Sequence, residues 1–182
     1  MFNPEILAVD LATTTGFARG RVGDDAPMFG TVSFQGKDQN QVFARSLQWM
    51  MEMVRESPPQ VVIIESMLPP QAMLNKTSRQ VRDRLAGLHG VIRGCARRWG
   101  VGEISECGVG DVRKHFTGFR GMQRAAAKQS VMDQCKALGW SVTNDNEGDA
   151  CAIWSYAVSL IDPKQALRVS PLFNKGLRVT GW

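Results

Sequence analysis

In EILAVD, residues 5–10, an apolar run closes on Asp10, and in QVVIIE, residues 60–65, a second run closes on Glu65. A third acid, Asp149 in NEGDACAIW, opens an apolar run instead. An ionised carboxylate at the edge of an apolar core is costly unless a cation, a hydrogen-bond donor or solvent compensates it. Asp145 lies four residues before Asp149, so the two share a helical face. Carboxylates converging from separated segments, without histidine or cysteine, form the donor set of hard cations such as Mg2+ and Mn2+. Two such ions about 4 Å apart can activate water and stabilise the leaving oxygen in phosphodiester cleavage. Taken singly, each acid has a plainer reading. Asn144 and Glu147 have the spacing of a capping box, and acids are favoured at a helix N-terminus by its dipole. Convergence of several acids is what points to chemistry.

The elements that must bring them together follow from hydrophobic periodicity. EILAVD reads as a buried strand, with TGFARGRV and MFGTVSF as two more around the turn GDDAP, giving a three-stranded antiparallel meander. Val42, Leu47, Met50, Met51 and Val54 recur at helical spacing until SPP stops them. QVVIIE is apolar on both faces and predicts a central strand in a covered sheet. A helix over residues 78–99, a strand in GEISECGV, and helices in QRAAAKQSVMDQCKALGW and NEGDACAIWSYAVSLI complete a β-β-β-α-β-α-β-α-α order, a mixed α/β domain. Trp49, Trp99, Trp140 and Trp154 fall in helical or helix-end contexts and are expected in the core or at an interface rather than as base-stacking platforms.

A chain of 182 residues that is 43% hydrophobic can bury one sizeable core, expected here over residues 1–162, followed by a basic, extended tail over 163–182. No run is long and apolar enough to span a bilayer and the N-terminus lacks a signal pattern, so a cytoplasmic protein with no membrane partner is expected. Cys95, Cys107, Cys135 and Cys151 are irregularly spaced and expected reduced, and with only His89 and His115 beside them a zinc site is disfavoured.

Lysine and arginine outnumber aspartate and glutamate by 22 to 17, and the excess is clustered. Residues 79–98, opening on Arg79 shortly after Lys76, hold six arginines against one aspartate, and residues 113–128 hold five basic residues and no acid. Such clusters suit a polyanion, most simply nucleic acid. Phe116 and Phe119 sit among Arg113, Lys114, His115, Arg120 and Arg124 in a segment read as a glycine-containing loop, an interleaving that suits a nucleic-acid contact.

Asp10 in ILAVDLATTTGFA, Glu65 in VVIIES and Asp149 in DNEGDACAIW, in this order and setting, resemble the catalytic acids of RuvC-type Holliday junction resolvases. The resemblance spans residues 6 to about 161 and includes GVGDVRKHFTGFRGMQRAAAKQSVMDQ, where the family's active-site lysine corresponds to Lys128. It implies an RNase H-like fold with a mixed five-stranded sheet flanked by helices. It also implies a homodimer that binds branched DNA at a four-way junction and makes paired nicks with two Mg2+ ions, which Mn2+ can replace. TTTG and DNEGDA look more like a phage or prophage form. Three residues before the last acid the family places an aspartate or histidine, whereas this chain has Asn146, so either Asn146 or Asp145 completes the ligand set. Family members from bacteria carry an aromatic shortly after the strand-end glutamate, where this chain offers Leu68. DLATTTG also resembles the first phosphate loop of actin-like and sugar-kinase-like ATPases. Those need a second domain and a second glycine-rich motif, for which this length leaves no room, so no nucleotide cofactor is expected.

Overall fold

The computed structural model describes residues 3–68 and 78–165. Strands β1 (Glu5–Asp10), β2 (Thr14–Arg21) and β3 (Met28–Ser33) form the antiparallel meander expected from the sequence, and β4 (Val61–Glu65) and β5 (Glu103–Cys107) extend it in parallel. The sheet order is β3-β2-β1-β4-β5, so the two most apolar strands, β1 and β4, lie side by side away from the edges. Helices α1 (Gln39–Val54), α2 (Arg79–Arg98), α3 (Val109–Thr117), α4 (Arg124–Ala137) and α5 (Asp145–Ile161) cover its faces.

Successive strand residues point to opposite faces, and that alternation divides the core in two. Ile6, Ala8, Val61 and Ile63 join the apolar cluster beneath α3, α4 and α5, while Leu7, Val9, Val62 and Ile64 join the cluster beneath α1 and α2. Continued by one step, the same alternation places Asp10 and Glu65 on the α5 side of the sheet. Val9 is paired with Ile64 across the parallel ladder, which brings the two acid-bearing strand ends next to one another.

The segment between β5 and α4 differs from expectation. Residues 109–117 form α3 rather than a loop, with Val112 and Phe116 buried one turn apart and Gly118 closing the helix at φ 83°. Phe116 stacks on Trp140, with centroids 5.9 Å apart and planes at 21°. Trp154 is fully buried and its indole N–H donates to the Gly20 carbonyl at 3.2 Å, while that of Trp140 donates to the Asp25 carbonyl at 3.0 Å. All four cysteines are buried and free. Among the described residues no helix is long and apolar enough to cross a membrane.

Helix α5 packs across β1 and β2, and the fit is tightest at its start. A methyl group built on Gly16 would lie 1.9 Å from the Asn146 carbonyl oxygen. Gly16 is the residue paired with Asp10 across β1 and β2, so this backbone contact seats the first turn of α5 beside the end of β1. The turn is capped by Asn144, whose side-chain oxygen accepts from Glu147 N at 3.0 Å and from the Thr31 hydroxyl at 3.1 Å. Glu147 reaches back one residue further than a capping box requires, accepting from the Thr143 amide at 2.7 Å and its hydroxyl at 3.0 Å. Because the atoms facing Gly16 are backbone, Gly16→Ala should force α5 outward and cost about 1–3 kcal/mol. A urea melt should show a lower midpoint with an unchanged slope; an unchanged midpoint would contradict the packing described.

Candidate active site

Asp10, Glu65 and Asp149 meet where the C-terminal ends of β1 and β4 approach the start of α5, and all three are half-buried. The turn after Asp10 is held closed by Thr15, fully buried, whose hydroxyl donates to the Ala12 carbonyl at 2.7 Å and accepts from the Ala12 amide at 3.1 Å. Removal from water pushes the Asp10 carboxyl up to about 7, with the Asp149 charge adding to the shift and Lys128 and Arg113 opposing it. Burial raises Glu65 to about 8, helped by the charges of Asp10 and Asp149 and opposed by Arg113. Asp149 is raised by burial too, against the pull of Arg113, Lys128 and Arg124. The shifts share one meaning: three carboxylates are crowded where water screens them poorly, and the local cations do not fully neutralise them.

The surrounding cations come from α3 and α4. Arg113 on α3 acts on all three acids, and its buried Nε finds no hydrogen-bond acceptor among the described residues. Lys128 on α4 lies near Asp10 and Asp149 and forms an ion pair with Asp145. Asp145 therefore faces Lys128, while Asn146 sits with its main-chain carbonyl against Gly16. Cys107, paired in register with Glu65, has its thiol pushed up to about 12 by burial and then by the neighbouring carboxylates, which makes it a poor nucleophile.

Other residues singled out in the sequence are spread more widely. Arg124, at the start of α4, is close enough to act on Asp149. Arg120 pairs with Asp111 across the turn after α3. Lys114 is exposed, Leu68 is exposed just beyond Glu65, and Arg79 pairs with Asp83 on the exposed side of α2 at 3.6 Å. Lys76 and residues 166–182 lie outside the described residues. Two residues expected at a nucleic-acid surface turn inward instead. Phe116 is core, and His115 sets its Nε2 3.1 Å from the hydroxyl of Ser155, a buried residue of α5, with burial lowering its pKa. The close approach of Arg113 to the acids was not legible while residues 109–117 read as a loop. As a helix, the spacing of Val112 and Phe116 fixes the inward face, and Arg113 lies beside it.

Among the described residues, no cluster of three or more His, Cys, Asp or Glu side chains has the arrangement of a ready-made metal cage. The donor chemistry still fits a hard divalent ion. Mg2+ dehydrates reluctantly and is commonly held by one or two carboxylates, waters and substrate phosphates rather than by an all-protein cage. Half-buried acids that raise one another's pKa are those a divalent cation would relieve.

No protein-family model and no curated protein matches this sequence. Solved structures do match in shape. RuvC of Thermus thermophilus superposes with a TM-score of 0.67 at 16% identity, covering 86% of this chain and 95% of that one. The same enzyme in complex with a Holliday junction substrate gives 0.67 at 15% identity, over 87% and 95%. This chain has the RuvC fold. It is the RNase H-like arrangement, a mixed five-stranded sheet flanked by helices. The yeast mitochondrial Holliday junction resolvase shares it, with a TM-score of 0.59 at 11% identity over 93% of this chain and 81% of that one.

The shifted acids couple stability to pH. Carboxylates ionise near 4 in an unfolded chain, so the fold holds protons on Asp10 and Glu65 that the unfolded chain has released. The resulting penalty is absent below about pH 4 and accumulates as pH rises through 7 to 8. In EDTA, the thermal midpoint should therefore fall between about pH 5 and about pH 9 in the wild type, and less steeply in Asp10→Asn. A wild-type profile that rises over this range would contradict the electrostatics of the site.

Proposed function

We propose that this protein is a metal-dependent endonuclease that resolves four-way DNA junctions by paired nicks. The observation that carries the reading is the convergence of Asp10, Glu65 and Asp149, mutually repelling and half-buried, at one end of a RuvC-type sheet. In this reading Asp10, Glu65 and Asp149 hold two Mg2+ ions, with Mn2+ able to substitute, and Asp145 or Asn146 completes the set. The ions supply an activated water and stabilise charge on the phosphate and leaving oxygens.

The remaining steps belong to the chain's own residues. Glu65 and Asp10, both poised to ionise near neutral pH, become fully charged when a cation approaches, so metal affinity rises with pH across that range. Arg113, whose charge acts on all three acids, would meet a scissile phosphate bound there. Lys128, held by Asp145, adds a fixed positive charge toward the same place, the kind of preorganised electrostatics that costs no rearrangement during reaction. Lys114, Arg120 and Arg124 extend that positive field along α3 and α4 and position the DNA backbone. Lys76, Arg79 and Leu68 belong to a second contact region following Glu65. The described residues carry one such acid set, so paired nicks on opposed strands call for a homodimer. The Thermus thermophilus protein with the same fold is known bound to a Holliday junction substrate.

The test is a nicking assay with Mg2+ on a labelled four-way junction, a flap and a linear duplex in parallel, using wild type and Glu65→Gln. Symmetric cuts on the junction should fall more than about 100-fold in the variant, since losing even an outer-sphere partner of a metal costs about 10–100-fold. Equal cutting of flap and junction would replace the junction reading with a broader branched-DNA nuclease. Tight binding with no cut would leave a DNA-binding module of the same fold.

A further inference from the structure

The turn between α3 and α4, residues 118–123, holds up an aromatic side chain that nothing in the fold uses. Phe119 is 62% exposed, whereas Phe116, one helical turn before it, is buried against Trp140. Gly118 and Gly121 take φ of 83° and 75°, a region that side chains disfavour, and bracket Phe119 and Arg120. The Gly118 amide donates to the Lys114 carbonyl at 3.0 Å, and the Arg120–Asp111 ion pair ties the turn back to the first turn of α3. Met122, 36% exposed, adds a second apolar side chain to the same tip.

Position gives this tip a meaning that other exposed apolar residues lack. Met28 and Leu160 are about as exposed but lie on β3 and at the far end of α5. The 118–123 turn instead joins the two helices whose Arg113, Arg124 and Lys128 all act on Asp149. Arg124 follows Phe119 by five positions, so their α-carbons lie at most about 18 Å apart, and Arg124 acts on Asp149. An exposed ring on a turn between two cation-bearing helices suits the face of an unstacked base, and intact duplex presents no such face.

We propose that Phe119 is a stacking platform for an unpaired base at the branch point, and that it makes this protein prefer branched DNA to duplex. The inference rests on the DNA-cleaving reading above and names how that site would recognise its substrate. Removing a base–aromatic stack costs roughly tenfold to a hundredfold in binding.

The test places 2-aminopurine at the branch nucleotide of a four-way junction and measures its emission and the ratio of junction to duplex affinity, with Ca2+ replacing Mg2+ to limit cutting. Wild type should quench the emission. Phe119→Ala should lose the quench and lower the affinity ratio roughly tenfold to a hundredfold, and Phe119→Trp should restore both. A quench and ratio unchanged in Phe119→Ala, with its circular dichroism spectrum intact, would overturn the proposal. So would a shift of Phe119→Ala to a smaller species in sedimentation velocity with the quench retained, since the ring would then serve a second copy of the chain. A Phe119-dependent quench without any nicking in Mg2+ would support the stacking role while sinking the nuclease reading. Wild type that binds no DNA would overturn both.

Discussion

The carbonyl of Asn146 rests against the α-carbon of Gly16, and the candidate site depends on that contact. Gly16 faces Asp10 across the β1–β2 ladder, so whatever touches it is brought to the end of β1. The first turn of α5 is what touches it, and Asp149 arrives with that turn. The Asn144 cap, its bond from Thr31 on β3, and the grip of Glu147 on Thr143 hold the same turn from its other sides. Further along, the close fit continues through Gly148, where a methyl group would press on Met132 and Val131 of α4. A helix rich in small residues can sink between sheet and neighbouring helices in this way, and α5 is buried along most of its length.

That seating creates the electrostatic tension of the site. Asp10 and Glu65 cannot turn away from Asp149, because the strand alternation that buries Ile6, Ala8, Val61 and Ile63 also directs the acids to the α5 side. The fold tolerates the crowding by surrounding it with Arg113, Lys128 and Arg124, and it stops short of neutralising it. An acid set satisfied by its own cations would have little left for a divalent ion. This one retains carboxyl groups whose protons a divalent ion can displace.

How far the sequence could be read depended on whether the relevant signal was local. The continuous apolar runs at residues 6–9 and 61–64 told of buried strands, and the alternation of side chains along a strand sets which face receives the acids. The antiparallel meander followed from turn chemistry in GDDAP, and the α5 cap from Asn144 and Glu147. Helix α3 was hidden because Gly108 supplies no capping side chain and only Val112 and Phe116 mark a buried face in nine residues. With α3 unread, His115 and Phe116 resembled surface residues of a basic loop. Their partners, Ser155 and Trp140, belong to distant parts of the chain, and no local pattern announces them. The role of Gly16 was hidden for the same reason. A glycine in the strand TGFARGRV gives no sign of the backbone that crowds it until the helix packed on it is known.

Asp10 comes near the start of the chain, Glu65 near its first third, and Asp149 on the last helix described. During synthesis, β1 through β5 emerge before α5 exists to close over them. A nascent chain therefore holds at most two of the three acids, and the third arrives with the helix that completes the core. Order of translation thus leaves the three acids unassembled until the helix that closes the core has docked.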